Sequence, residues 1–397
     1  EMGRDCETLY FEEMKKIFLG ALFLLLCLGV SAKAPVKIAC VGNSITYGYT
    51  IENRERDSYP AQLQRMLGEG YTVGNFGKSG ATLLNKGHRP YMKQEEFQKA
   101  LAFAGDIVVI HLGINDTDPR NWPDYRDFFV RDYLALIDSF RVVNPDVRIL
   151  VARMTPIADR HPRFESGTRD WHGEIQQAIE TVARYANVQL IDFHEPLYRY
   201  PFMLPDAVHP TVEGAGILAK IVYSAITGDY GGLRLSEIYS DNMVLQCGCL
   251  LDIHGVADAG EKVTVSIAGQ TESAKAGANG KWAVCLKPLQ PGGPHTLTVS
   301  TGKRRLHFEN VLVGEVWLCS GQSNMEMPVH GFPNQPVEGS AEAIIRARAA
   351  TPIRLCTVKR STARTPQEEG AAQWLKHTPE AVAGTSATAY FFAEYLQ

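Results

Sequence analysis

After Asp258 the chain contains no further aspartate. Any site in the C-terminal third that needs an Asp-oriented histidine is therefore incomplete within these residues. The chain also lacks a Gly-x-Ser-x-Gly segment, which excludes a nucleophile elbow of the α/β-hydrolase type. Gly77-Lys78-Ser79 imitates the end of a P-loop, but the required upstream glycine position is Thr72. Excess positive charge is absent too: the net charge is −4 and no basic run is interleaved with aromatics, so nucleic acid is not an expected partner. No zinc-type Cys/His spacing occurs, and no metal or cofactor is expected.

What is present is an ordinary globular composition, 45% hydrophobic and 21% charged, enough to build sizeable cores over 397 residues. The N-terminus reads differently. Met14-Lys15-Lys16 is a basic start, Ile17–Val30 is apolar, and Ser31-Ala32-Lys33-Ala34 supplies small residues for cleavage. That is the layout of a secretory signal peptide. The apolar run falls short of the roughly 20 residues of a membrane span. Residues 1–13 read as upstream sequence before a start at Met14. Leu26, in place of a small residue, precedes Cys27 and argues against lipid attachment. A secreted or periplasmic chain is expected, with no stable membrane span after cleavage. Cys40, Cys247, Cys249, Cys285, Cys319 and Cys356 would remain, each expected to be a buried free thiol.

Short apolar runs at Val36–Val41, Tyr71–Phe76, Asp106–Leu112, Val147–Met154 and Val188–Phe193 alternate with helical patterns at about 59–69, 92–104, 125–143, 171–186 and 211–227. This alternation predicts a parallel α/β sheet covered by helices on both faces, with its site outside the carboxyl ends of the strands. After Gly231-Gly232 the chain becomes rich in β-branched residues and glycine turns. Strands are predicted at Lys262–Ala268, Gly280–Leu286 and His295–Val299, in a small all-β sandwich. From about 312 an α/β style returns, with a strand at Val313–Leu318 and a helix at Thr385–Leu396. The expected division is 1–34 upstream residues plus signal peptide, 35–228 an α/β domain, 233–311 a β domain, and 312–397 the start of a second, truncated α/β domain.

Gly42-Asn43-Ser44 follows the first predicted strand, Ser79-Gly80-Ala81 the second, and Gly113-Ile114-Asn115-Asp116 the third. Asp206-Ala207-Val208-His209-Pro210 lies after the fifth. All four fall on one edge of the predicted sheet. A lone serine there is an ordinary helix N-cap. A serine hydroxyl joined by a base, an orienter for that base and oxyanion donors is a nucleophile, and each role has a candidate here. Among the other histidines, His88, His111, His172 and His194 read as surface or packed residues, with pocket lining the second reading for His111. Tyr47, Trp122 and Trp171 are candidate sugar-stacking walls, with core packing the commoner role of an aromatic, and Arg153 and Met154 end the fourth strand close to the site.

The four blocks, in order and spacing, resemble those of the SGNH (GDSL-like) hydrolase superfamily over about 36–228. Asn43 stands where the strict GDSL motif has Asp. The resemblance implies a flavodoxin-like sheet with Ser44 as nucleophile, His209 as base and Asp206 as its orienter. It also implies an oxyanion hole made of the Ser44 and Gly80 N–H groups and the Asn115 amide. A second likeness covers about 233–397. Cys319-Ser320-Gly321-Gln322-Ser323-Asn324-Met325 and the preceding β segment resemble sialate O-acetylesterases, which implies Ser323 as a second nucleophile. With no Asp-x-x-His after it, the chain reads as the first part of a longer two-headed esterase. The implied activity is removal of O-acetyl groups from carbohydrates, sialic acids first. A lysophospholipase, thioesterase or acetylxylan esterase is the alternative in the same chemistry, and a carbohydrate-binding protein with vestigial serines the alternative of another class.

Overall fold

The structure is a computed structural model that describes residues 34–162, 168–361 and 370–397. Nearly all of the expected signal peptide, Met14–Ala34, lies outside the described residues. Among those residues no helix is long and apolar enough to cross a membrane.

Five parallel strands form the first sheet: β1 (Val36–Gly42), β2 (Tyr71–Gly77), β3 (Ile107–His111), β4 (Arg148–Ala152) and β5 (Gln189–Ile191), in the order β2-β1-β3-β4-β5. The inner strands read as unbroken apolar runs because helices cover them on both sides. Every residue of β3 is buried, as are Ile38–Gly42 of β1 and Ile149–Ala152 of β4. Helices Tyr59–Leu67 and Val212–Thr227 pack on each other, while Glu95–Phe103, Phe129–Val143 and Thr168–Tyr185 form a second group. Strand order 2-1-3-4-5 is the doubly wound order whose site lies beyond the carboxyl ends of the strands.

These ends stand in register. Gly42 pairs with Gly77 on one side and with His111 on the other. Space there is short. A Cβ on Gly77 would lie 2.2 Å from the Tyr47 nitrogen, and one on Gly42 would lie 2.1 Å from Thr46 Oγ1. The bare backbone at both positions lets the short helix Ser44–Tyr47 sit directly on the strand ends.

The segment after Gly232 closes a second core of Leu251, Ile253, Val263, Val265, Trp282, Val284, Leu297, Val299 and Val311, among others. Its five-stranded sheet is β6 (Val244–Gln246), β12 (Arg305–Gly314), β11 (Gly292–Ser300), β8 (Lys262–Ile267) and β9 (Gln270–Lys275), in that order. The pair β7 (Leu251–Val256) and β10 (Lys281–Leu286) is antiparallel. β6 runs parallel to β12 while the other pairs are antiparallel, so this is a mixed half-barrel in place of the expected sandwich. The junction with the first domain is tied by Asp258, whose carboxylate accepts from the Tyr230 and Gly232 N–H groups at 2.9 and 3.0 Å.

Two further expectations are corrected. The predicted strand Val313–Leu318 is cut short, and among the described residues no second α/β domain is evident: β12 ends at Gly314, and Val316, Trp317 and Leu318 are exposed. A parallel strand needs neighbours, and among the described residues 315–397 hold only a two-stranded hairpin, β13 (Arg354–Cys356) with β14 (Trp374–Lys376), and short helices ending in Ala387–Leu396. The cysteines also depart from expectation. Cys40 is buried, and burial raises its thiol to about 12, but Cys249, Cys285 and Cys319 are exposed and Cys247 and Cys356 half-buried. Cys285 alternates outward on β10, where Trp282, Val284 and Leu286 take the inner positions.

Gly77→Ala should cost about 1–3 kcal/mol, the range for overpacking a tight contact, because backbone atoms of Thr46 and Tyr47 must move. Urea unfolding of the variant measures it, and wild-type stability would show that the helix is not seated as described.

Candidate active site

Ser44 opens the helix Ser44–Tyr47 and is 7% exposed. The N-cap is Asn43, not the serine: Asn43 Oδ1 accepts from the Ile45 N–H at 2.9 Å. This frees the Ser44 hydroxyl, which lies 2.8 Å from His209 Nε2. His209 Nδ1 lies 2.6 Å from Asp206 Oδ2. The other oxygen of Asp206 accepts from the Val208 and His209 N–H groups at 3.0 and 2.7 Å. Burial works against ionisation of Asp206, but these backbone and ring hydrogen bonds outweigh it and hold the carboxyl below its ordinary range. An ionised Asp206 requires Nδ1 to carry the ring proton, so Nε2 is left as the acceptor for the Ser44 hydroxyl.

The loop delivering both residues is firmly held. Ala158 N–H donates to the Ala207 carbonyl at 2.8 Å, and Thr211, two residues after His209, caps the helix Val212–Thr227. Ala207 takes φ +73, a left-handed conformation that an L side chain adopts at a cost. The ring of Tyr49 rests on His209 with centroids 4.8 Å apart.

Gly80 and Asn115 lie in the loops that leave β2 and β3 on the same sheet edge. Lys78–Ala81 forms a turn closed by the Ala81 N–H to the Lys78 carbonyl at 3.1 Å. Gly80 has φ +76, as the third position of a type II turn requires. Among the described residues its N–H has no acceptor. The Asn115 side-chain amide donates to the Ala81 carbonyl at 2.9 Å, leaving one N–H available. Asn121, fully buried, donates to the Asn115 carbonyl and accepts from the His88 N–H, both at 2.9 Å.

Asp116 joins the two loops. It is fully buried, and its two oxygens accept from the Leu83 and Leu84 N–H groups at 2.9 Å each. Burial raises its carboxyl to about 7 against the lowering effect of those N–H groups. Asn43, Asp116 and Asn121 were not singled out for these tasks, because sequence gives a residue's type but not the backbone N–H groups it meets.

Several candidate wall residues are packed elsewhere, Trp122 and His111 among them. His111 is fully buried, as its packed reading requires; burial lowers its ring to about 3, and it accepts from the Thr155 N–H at 3.3 Å. Trp122 is core, donating to Glu174 at 2.8 Å, and Trp171 packs partly buried against the same core. Tyr47 stacks under Arg54, whose guanidinium lies 4.0 Å from the ring centroid. Arg153 pairs with Glu180 and Asp192, and Met154 is buried beneath Gly113.

Ser323 is exposed at the start of the short helix Ser323–Glu326. His330 bonds the Ala383 carbonyl, His377 meets Tyr390, and His307 meets Thr298. Among the described residues no histidine is hydrogen-bonded to Ser323 and no group of metal-ligating side chains is assembled.

Residues 40–217 match the model of the GDSL-like Lipase/Acylhydrolase family. This segment is a GDSL-like (SGNH) domain, of the carboxylic ester hydrolase class. The chain is 37% identical over 212 residues to an acetylxylan esterase of Xylanibacter ruminicola, a match covering 48% of this chain and 43% of that protein. It is 36% identical over 128 residues to a sialate O-acetylesterase of Rattus norvegicus, covering 29% of this chain and 23% of that one. A solved carbohydrate acetylesterase from Xanthomonas citri is 31% identical, covers 41% of this chain and 36% of its own, and superposes with a TM-score of 0.39. The chain spans less than half the length of these relatives.

The raised carboxyl of Asp116 has a signed consequence. A group whose folded value stands above its unfolded one contributes stability that is present below about pH 4 and lost as pH rises through about 7. Wild-type unfolding free energy should therefore fall between those values relative to Asp116→Asn, which cannot titrate. Parallel pH curves for the two proteins, from denaturant melts, would remove the buried carboxyl as the cause.

Proposed function

We propose that the chain is a serine carbohydrate O-acetylesterase. The observation that carries this is the unbroken row Asp206–His209–Ser44, at 2.6 and 2.8 Å. Ser44 Oγ attacks the acetyl carbonyl while His209 Nε2 takes its proton. Ionised Asp206 holds the ring through Nδ1–H and stabilises the imidazolium that forms. The tetrahedral oxyanion is received by the Ser44 and Gly80 N–H groups and the free Asn115 amide N–H. Collapse expels the sugar hydroxyl, protonated by His209, and leaves an acetyl-serine. Water then repeats the cycle with His209 as base and Ser44 as leaving group.

For the sugar, two readings each have support. Sialate O-acetyl groups are favoured by the likeness of about 233–397 to sialate O-acetylesterases. Acetylated xylan is favoured by the longer match to an acetylxylan esterase. The intact row of three residues speaks against a binding protein with a vestigial Ser44. We further infer export through Met14–Ala34.

Acetate release from acetylated xylan and from O-acetylated sialic acid, measured side by side, ranks the two sugars. Ser44→Ala should abolish release from either, while Ser323→Ala should leave it nearly intact, because Ser323 has no hydrogen-bonded base. Asn115→Ala should lower kcat by about 10²–10³-fold with little change in KM, as expected for a donor that acts in the transition state. Activity retained in Ser44→Ala and lost in Ser323→Ala would overturn the assignment.

A further inference from the structure

Arg89 stands behind the oxyanion site. Its guanidinium Nη1 donates to the Ser79 carbonyl at 2.9 Å. It is also the side chain nearest to where a Cβ on Gly80 would lie, at 3.2 Å. The Ser79 carbonyl and the Gly80 N–H belong to one trans peptide plane, so they point in opposite directions. A cation gripping the carbonyl therefore faces the back of the peptide whose N–H faces the reaction. The loop that brings Arg89 here is itself fastened. Thr82 N–H donates to the Arg89 carbonyl at 2.8 Å, Tyr91 N–H to the Thr82 carbonyl at 2.9 Å, and Asp116 holds the Leu83 and Leu84 N–H groups.

Such a peptide needs holding. In a β-turn the central peptide has two orientations, those of types I and II, which exchange the directions of its C=O and N–H. Glycine at the third position allows both at no steric cost. In the type I form the Ser79 carbonyl would face the oxyanion and repel it. Neighbouring arginines do other work: Arg120 pairs with Asp118 and Arg131 with Asp132. Among the described residues the Arg89 side chain has no acidic partner, and its one hydrogen bond goes to this carbonyl.

We propose that Arg89 is a positioning residue that locks the Ser79–Gly80 peptide with the Gly80 N–H toward the oxyanion. The hydrogen bond from a permanent cation also polarises the peptide and strengthens that N–H as a donor. This rests on the reading of Gly80 as an oxyanion donor.

Arg89→Ala and Arg89→Lys should be compared with wild type and Ser44→Ala in hydrolysis of p-nitrophenyl acetate. Arg89→Ala should lose roughly tenfold or more in kcat, less than the 10²–10³-fold loss of a whole donor, with KM nearly unchanged. Arg89→Lys should recover much of that loss, since an ammonium also donates to the carbonyl. The exposed position predicts an unchanged unfolding midpoint. In amide NMR spectra the Gly80 signal should be single in wild type and broadened or doubled in Arg89→Ala. Wild-type kcat in Arg89→Ala while Ser44→Ala is inactive overturns the lock and leaves the active-site reading standing. A kcat loss that tracks a fallen unfolding midpoint, with lysine no better than alanine, overturns it too. Full activity in Ser44→Ala would instead remove the site reading itself.

Discussion

Three residues side by side at the end of a parallel sheet, Gly77, Gly42 and His111, set everything that follows. Because the strands are parallel and end in register, the chain leaves each of them on the same edge. Ser44 follows β1, the glycine turn follows β2 and the asparagine follows β3; the Lys78 N–H donates to the Gly42 carbonyl and the Asn115 amide to the Ala81 carbonyl, which ties the three segments together. Two of the three end residues are glycine for a steric reason, since the helix bearing Ser44 lies where their Cβ atoms would be. The fold thus presents the serine on a short helix seated against rigid backbone.

The loops beyond that edge are fixed by buried polar side chains that bond backbone. Asn43 caps the serine helix, Asp116 takes two N–H groups of the 81–84 segment, and Asn121 braces the peptide of Asn115. Each lies in low dielectric, where an unpaired partner is expensive, so each bond strongly prefers one loop conformation. Local strain is accepted in return: Ala207 at φ +73 and Thr50 at φ +72 adopt left-handed backbone close to the base and to its covering ring, Tyr49. A preorganised site needs this rigidity, because donors that must reorient during reaction contribute little to catalysis.

Much of this was legible in the residues. The unbroken apolar runs that became β1, β3 and β4 could only be strands covered on both sides, and the 3.6-residue periodicity between them marked the covering helices. Three of the four chemical blocks declared themselves because each directly follows a strand, and the fourth, Asp206–His209, lies in the segment between β5 and the helix Val212–Thr227. What stayed hidden was return contact: nothing in the type of Arg89 or Asp116 says that a loop will bring it back onto the Ser79 carbonyl or the Leu83 N–H. Exposure was hidden for the same reason. Cys285 looked like a core thiol until strand alternation turned it outward while Trp282 and Val284 took the inside.

The C-terminal stretch shows the limit of local signal from the other side. Val316-Trp317-Leu318 has the composition of a strand, yet the backbone pairing with β6 stops at Gly314, and the apolar residues beyond it are exposed. β-propensity expresses a fit to neighbouring strands and to a half-buried surface, and here no neighbour is supplied. Ser323 follows from the same shortage. At Ser44, register with β2 and β3 brings donors and a helix-anchored loop brings a base. At Ser323 the preceding chain has left the sheet, and among the described residues no parallel edge lies beneath it. Among the described residues Ser323 is exposed with no base beside it, and the difference between the two serines lies in the sheet beneath them.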